Sequence, residues 1–196
     1  MRPAPTPHIR PRRASDLPAC VEALAQVHVA DGYPTNWPEK PSDWLTGDGD
    51  GDGDGDGDGD SPIGAWVAEL GGRVAGHVVL CPSAPDDVAP ALWSSREGVP
   101  VDEIAVVGRL FVAPGARGHG LGALLLARAV ARAAELGLHP VLDVVAYDTS
   151  ATALYERTGW RFLGTGEQRW SRRQTVTVRC YAGPEGESAA ADASPI

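Results

Sequence analysis

The chain has 196 residues, 43% of them hydrophobic, enough for one domain with a sizeable core and too apolar for a disordered polymer. Its formal charge of −9 is mostly local: seven of the 26 acidic residues sit in the run GDGDGDGDGDGDGD at 47–60, leaving 19 acidic against 17 basic. The basic residues, all Arg but Lys40, cluster only at Arg10, Arg12 and Arg13 and at Arg169, Arg172 and Arg173, without the interleaved aromatics of a single-strand binder, so no nucleic-acid partner is expected.

Cys20, Cys81 and Cys180 are odd in number and widely spaced, which argues against a disulfide framework or a zinc site. The N-terminus MRPAPTPHIRP has no apolar h-region. The most apolar stretch, LGALLLARAVARAAELGL, is broken by Arg128 and Arg132, so no membrane association is expected and a cytoplasmic location is.

In chain order, residues 1–7 read as a loose Pro-rich tail and His8–Pro11 as a short first strand. SDLPACVEALAQVHVADG predicts a helix starting at Ser15 or Asp16, with Pro18 in its first turn and Leu17, Val21, Leu24 and Val27/His28 on one face. His28 stands alone there, as a structural or a catalytic histidine. GYPTNWPEKPSDWL is a loop or short helix. IGAWVAEL and RVAGHVVL read as two strands about the turn Gly71-Gly72. Residues 82–100 read as a Pro-rich connection around Trp93. EIAVVGRLFVAP is a near-continuous apolar strand, as expected of one buried on both faces.

GHGLGALLLARAVARAAELG is the clearest helix, with an apolar stripe through Gly122, Leu126, Ala129/Val130, Ala133 and Leu136 and Gly137 as its cap. PVLDVVAY is a further buried strand, SATALYERTG a short helix, and WRFLG and TVTVRCY two last strands before a tail from 184 onward that reads as disordered. The order predicts one α/β domain over 8–183, a mixed sheet flanked by helices on both faces.

The chemistry concentrates where LFVAPGARGHGLGALLL turns from buried strand to helix. A helix N-terminus presents unpaired N–H groups and a partial positive charge, which suits phosphate. Gly118, Gly120 and Gly122 give a pyrophosphate access to the backbone, and Arg117 adds a fixed charge. No Gly-Lys-Ser/Thr follows, so this is not a Walker loop. The Gly-x-Gly-x-Gly spacing is not the dinucleotide fingerprint either. A tight turn without ligand is the plain alternative.

Arg117-Gly118-His119-Gly120-Leu121-Gly122 resembles the pyrophosphate motif Arg/Gln-x-x-Gly-x-Gly/Ala of the GNAT superfamily of acetyl-CoA-dependent N-acetyltransferases. A second family motif, Asn-x-x-Ala-x-x-Leu-Tyr-x-x-x-Gly-Phe/Trp, is met by Asp148, Ala151, Leu154, Tyr155, Gly159 and Trp160. The resemblance runs in element order from about His8 to Tyr181. It implies a largely antiparallel sheet of about six to seven strands, with acetyl-CoA as co-substrate and no metal. It further implies that the backbone at Leu110, Phe111 and Val112 pairs with the pantetheine arm, and that Arg117 to Gly122, Asp148 and Ala151 complete the coenzyme site. Tyr155 would assist departure of the coenzyme A thiolate, a role that suits a phenol protonated at neutral pH. A helix tyrosine that fills the core is the alternative for Tyr155. The implied reaction is direct transfer to an amine of a small molecule or peptide, by a monomer or homodimer.

Two positions depart from the family pattern. Asp148 stands where Asn is usual and, when ionised, accepts but does not donate. Val106 stands where many relatives carry a Glu base, while Glu103 has the wrong strand parity and Asp102 lies about 13 Å away. Either acid could be a solvated strand start. Tyr33, Trp37 and Trp44, with Trp93, are the aromatics that either line the acceptor pocket or pack loops onto the sheet. A non-catalytic acyl-CoA sensor is the rival reading. A calcium site in the Gly-Asp run is a third, but no start in the run gives both the glutamate at position twelve and the ligands an EF-hand loop requires, so the run reads as a disordered insertion.

Overall fold

A computed structural model describes residues 5–47, 61–84, 86–171 and 174–185. The Gly-Asp run beyond Gly47 and most of both tails lie outside the described residues.

Seven strands make one sheet: β1 (His8–Pro11), β2 (Gly64–Leu70), β3 (Arg73–Pro82), β4 (Ile104–Val112), β5 (His139–Val145), β6 (Arg161–Ser171) and β7 (Gln174–Ala182). They lie in the order β1-β2-β3-β4-β5-β7-β6. Every neighbouring pair is antiparallel except β4 with β5. Gly71 and Gly72 both have positive φ, 60° and 77°, as the tight turn between β2 and β3 demands. The helices are α1 (Leu17–Asp31), α2 (Pro41–Thr46), α3 (Val88–Glu97), α4 (Leu121–Glu135) and α5 (Thr149–Arg157).

Strand alternation sorts the core into two faces. Trp66 and Ala68 of β2 and Ala105 and Val107 of β4 pack with Leu121, Leu125 and Ala129 of α4 and with Tyr155 of α5. The intervening Val67 turns the other way, against Leu24 and Val27 of α1 and Leu45 of α2. On that second face Ile104 and Val141 meet Ala89 and Trp93 of α3. In α1 the buried stripe is Cys20, Ala23, Leu24 and Val27, with Leu17 and Val21 only half-buried, a small rotation from the expected face.

Residues 88–97 correct the expected Pro-rich connection, for they form α3. Pro90 lies in the first turn, where no intrahelical N–H is needed, and Gly98 ends the helix at φ 70°.

The feature that positions the site is a split. β4 and β5 pair only at Ile104–His139, Ala105–Pro140 and Val106–Val141. Beyond that, β4 continues along β3 and β5 along β7, so their facing edges part towards both C-terminal ends. A bulge coincides with the parting: His77 opposes Phe111 while Val79 opposes Gly108, so two residues of β4, Arg109 and Leu110, face one of β3. Arg109 takes up the extra length at φ 50°. Fully buried His77 ties the bulge down. Its Nε2 accepts from Arg12 Nη1 at 2.9 Å, so its Nδ1 donates to the Arg109 carbonyl at 2.9 Å. Burial holds the His77 pKa down at about 3, and the ring is neutral.

Candidate functional site

At the C-terminal end of β4 the chain passes through a 3-10 turn, Pro114–Ala116, into the glycine loop. Gly118 and Gly120 have φ 82° and 74°, the left-handed region that favours glycine, and nothing lies within 4 Å of where their Cβ atoms would stand. Among the described residues, the backbone N–H groups of Gly118 to Ala123 have no hydrogen-bond acceptor, and the first helical bond is Leu124 to Gly120 at 3.1 Å. Gly122 serves a different purpose, because a Cβ there would come 3.0 Å from Leu154 Cδ2 and press α4 away from α5. His119 Nδ1 lies 3.2 and 3.1 Å from the carbonyls of Ala116 and Arg117, bracing the loop. Arg117 forms a forked ion pair with Asp31 at the end of α1, which holds its guanidinium at the loop's edge.

Beyond β5, Asp148 caps α5. Its Oδ1 accepts the Ala151 N–H at 2.9 Å, work that an acceptor-only side chain performs as well as Asn. Ala151 thus presents no free N–H. Tyr155 follows two turns later and is 7% exposed, its ring 5.7 and 6.1 Å from those of Tyr181 and Trp160. Burial raises its pKa well above the ordinary tyrosine value, with the charges of Tyr33, Asp148 and Asp143 acting in the same direction.

The second face of the split is walled by the α1–α2 connection. His28 Nδ1 bonds the Pro34 carbonyl at 2.9 Å and its ring lies 5.1 Å from Trp37, a structural role. Thr35 reaches Tyr147 at 2.9 Å and Asn36 reaches Gln174 at 2.8 Å, so this segment bridges to the β5–α5 junction and to β7. Tyr33 is half-buried with its ring 6.2 Å from Trp44. Burial raises its pKa against the opposing charge of Arg109. Trp37 is 40% exposed.

Two residues that sequence reasoning passed over stand here. Arg109 lies 5.3 Å from the Trp44 ring and 3.8 Å from Cys81 Sγ, and among the described residues its buried Nε has no partner and no carboxylate pairs with it. Asp143 projects from β5, and burial, then the charge of Asp87, pushes its pKa up to about 6. The one sequence signal for Asp143 was a lone acid inside the apolar strand PVLDVVAY.

The end of β4 at Val112, the glycine loop at Gly122 and α5 at Leu154 therefore meet beside the split, and the α1–α2 connection that carries Tyr33 and Trp37 reaches the β5–α5 junction through Thr35. Trp93 does not join them, a correction to its placement among the acceptor aromatics. It lies in α3, stacked on His139 at 4.0 Å, beside the N-terminal end of β5 rather than its open end. Asp102 and Glu103 occupy an exposed 3-10 turn before β4, also at the far end.

Residues 29–160, a span that holds both motifs, match the model of the acetyltransferase (GNAT) family. No curated protein matches the chain in sequence. Among solved structures, ribosomal-protein-alanine N-acetyltransferase from Brucella melitensis is 24% identical with a TM-score of 0.61, the alignment covering 89% of this chain and 98% of that one. A GCN5-related N-acetyltransferase from Kribbella flavida is 20% identical with a TM-score of 0.61, covering 91% and 98%. Salmonella typhimurium yncA, solved with its cofactor acetyl-CoA, is 18% identical with a TM-score of 0.59, covering 96% and 99%. At these identities the likeness is one of fold. The family model, spanning about two thirds of the sequence, goes further, and the chain belongs to the acetyltransferase (GNAT) family.

Proposed function

We propose that the protein is an acetyl-CoA-dependent N-acetyltransferase that passes the acetyl group directly to an amine of a small molecule or peptide. The observation that carries this reading is the run of N–H groups from Gly118 to Ala123, unpartnered among the described residues, beside the split between β4 and β5. Six donors, a helix N-terminus and Arg117 suit a pyrophosphate. The backbone edge of β4 from Leu110 to Val112, unpaired on the β5 side, suits the amide-bearing pantetheine arm.

The chemistry follows from charge development. The neutral amine attacks the thioester carbonyl, and backbone N–H groups on the free edge of β4 stabilise the oxyanion. The carbon–sulfur bond then breaks with its electron pair on sulfur. Tyr155, kept protonated by burial, donates a proton or hydrogen bond to that thiolate.

Thiol release from acetyl-CoA across a panel of amines tests the reading. Release is expected with at least one amine, and Tyr155→Phe should lower kcat by about 10–100-fold with coenzyme A affinity unchanged. Coenzyme A binding without release for every amine would favour a sensor instead.

A further inference from the structure

Direct transfer to an amine needs an acceptor for the nitrogen's proton, and Val106 leaves the fourth-strand position apolar. Most other carboxylates near the site are committed. Asp148 caps α5. Asp31 pairs with Arg117. Asp87 accepts the Ala84 N–H at 2.7 Å. Asp102 and Glu103 stand exposed at the wrong end of β4.

Asp143 accepts its own backbone N–H but neither caps a helix nor pairs with a cation among the described residues. Val141 packs under α3 and Leu142 packs towards α4, so alternation puts Asp143 on the face that carries the α1–α2 wall. Extending the register two residues beyond Val106–Val141 brings Asp143 opposite Gly108, where the strands no longer pair. Gly108 places no side chain there, and even an added Cβ would meet only Val79 Cγ1, at 3.8 Å. The Asp143 carboxylate has no Arg, Lys or His partner among the described residues. Its charge raises the pKa of both Tyr33 and Tyr155, so it lies within electrostatic reach of each.

We propose that Asp143 is the general base that takes the proton from the acceptor amine as it attacks. The assignment rests on the N-acetyltransfer reading above. The nitrogen–carbon bond forms as the nitrogen's proton passes to the Asp143 carboxylate. The carbon–sulfur bond breaks with its electron pair on sulfur, which Tyr155 protonates. Asp143 later returns its proton to solvent, and Tyr155 regains one. The titratable groups within electrostatic reach of Asp143 are Asp87 just before α3, Cys180 opposite it on β7, Tyr33 from the α1–α2 connection and Tyr155 from α5, while Arg109 of β4 turns its guanidinium to Trp44 and Cys81. Burial and the charge of Asp87 outweigh any cation here, so the carboxylate stays basic enough to accept a proton while remaining ionised at neutral pH.

The test compares wild type, Asp143→Asn and Asp143→Glu in thiol release from pH 5 to 9, with coenzyme A affinity measured alongside. Asp143→Asn should bind coenzyme A as wild type does, lose about 10²–10³-fold in kcat/KM at pH 7, and lose the acidic limb near pH 6. Asp143→Glu, which keeps a carboxylate, should recover part of the rate and retain a limb. Asp143→Asn turning over within threefold of wild type with its limb intact would overturn the assignment while leaving N-acetyl transfer standing. Loss of coenzyme A affinity in step with the rate would overturn it too, as the sign of a structural role. A wild type that releases no thiol with any amine would remove the acetyltransfer reading, and Asp143's role with it.

Discussion

Asp143 and Tyr155 are displaced by the same force in the same direction, yet the consequences differ. Burial favours the neutral form of each. For a phenol that starts near pKa 10 this locks the proton on, as an acid needs, whereas for a carboxyl it lifts the pKa towards neutrality, as a base needs. The Asp143 shift also bears on stability. Its folded pKa, about 6, exceeds that of an unfolded aspartate, so the folded state binds the extra proton between about pH 4 and 6, and ionised Asp143 destabilises the fold above that window. Asp143→Asn should therefore raise Tm at pH 7.5 by about 2–4 °C, with the gain shrinking towards pH 4, as differential scanning calorimetry would report. A variant that is more stable and less active is what a site under electrostatic strain produces. At this scale Tyr155 and the glycine loop were legible because fixed spacing marks them. Asp143, Arg109 and His77 were not, since a single polar residue in an apolar strand carries no period. Its meaning depends on which strand lies opposite.

Elements are tied together by a few buried polar joints. Arg10 on β1 forks onto Asp16 at 2.7 and 2.8 Å and also reaches Glu69 of β2 at 2.6 Å. Asp16 additionally accepts the Arg13 N–H at 2.7 Å, so one carboxylate joins the edge strand to the start of α1. The Arg10 hydrogen bonds hold the Asp16 pKa down at about 2. Its contribution is therefore present above about pH 4 and fades as pH falls towards 2. Asp16→Ala should cost about 2–4 kcal/mol in urea unfolding at pH 7, because Arg10 would be left part-buried with one partner fewer. At pH 2.5 the difference should shrink. Most elements were legible from apolar period and turn residues. The exception, α3, was hidden because Pro90 and the surrounding prolines read as breakers, although Gly98 marked the helix end. Proline in a first turn breaks nothing.

At the scale of the molecule, the conspicuous Gly-Asp run joins two points that already touch. A Cβ on Gly47 would lie 3.5 Å from Pro62 Cγ, so the described residues on either side of the run lie side by side. Joining Gly47 to Ser61 should leave Tm within about 2 °C of wild type and coenzyme A affinity within about twofold, although the formal charge falls from −9 to −2 as seven Asp are lost. A large drop in either would assign the run a structural or binding role. The sheet and its flanking helices were legible as a whole because strand and helix alternate in a fixed order. The split between β4 and β5 was not, for it depends on a bulge held by a buried histidine. The resemblance of two short motifs pointed to the coenzyme, whereas the segment proposed to face the acceptor has no period to read.

The proposed function requires the loop from Arg117 to Ala123 and the split beside it to receive coenzyme A. A crystal structure of the complex tests this most directly. The pyrophosphate is expected on the N–H groups of Gly118 to Ala123, the pantetheine along Leu110 to Val112 between β4 and β5, and the sulfur within reach of Tyr155. Coenzyme A bound elsewhere, with those N–H groups still free, would contradict it.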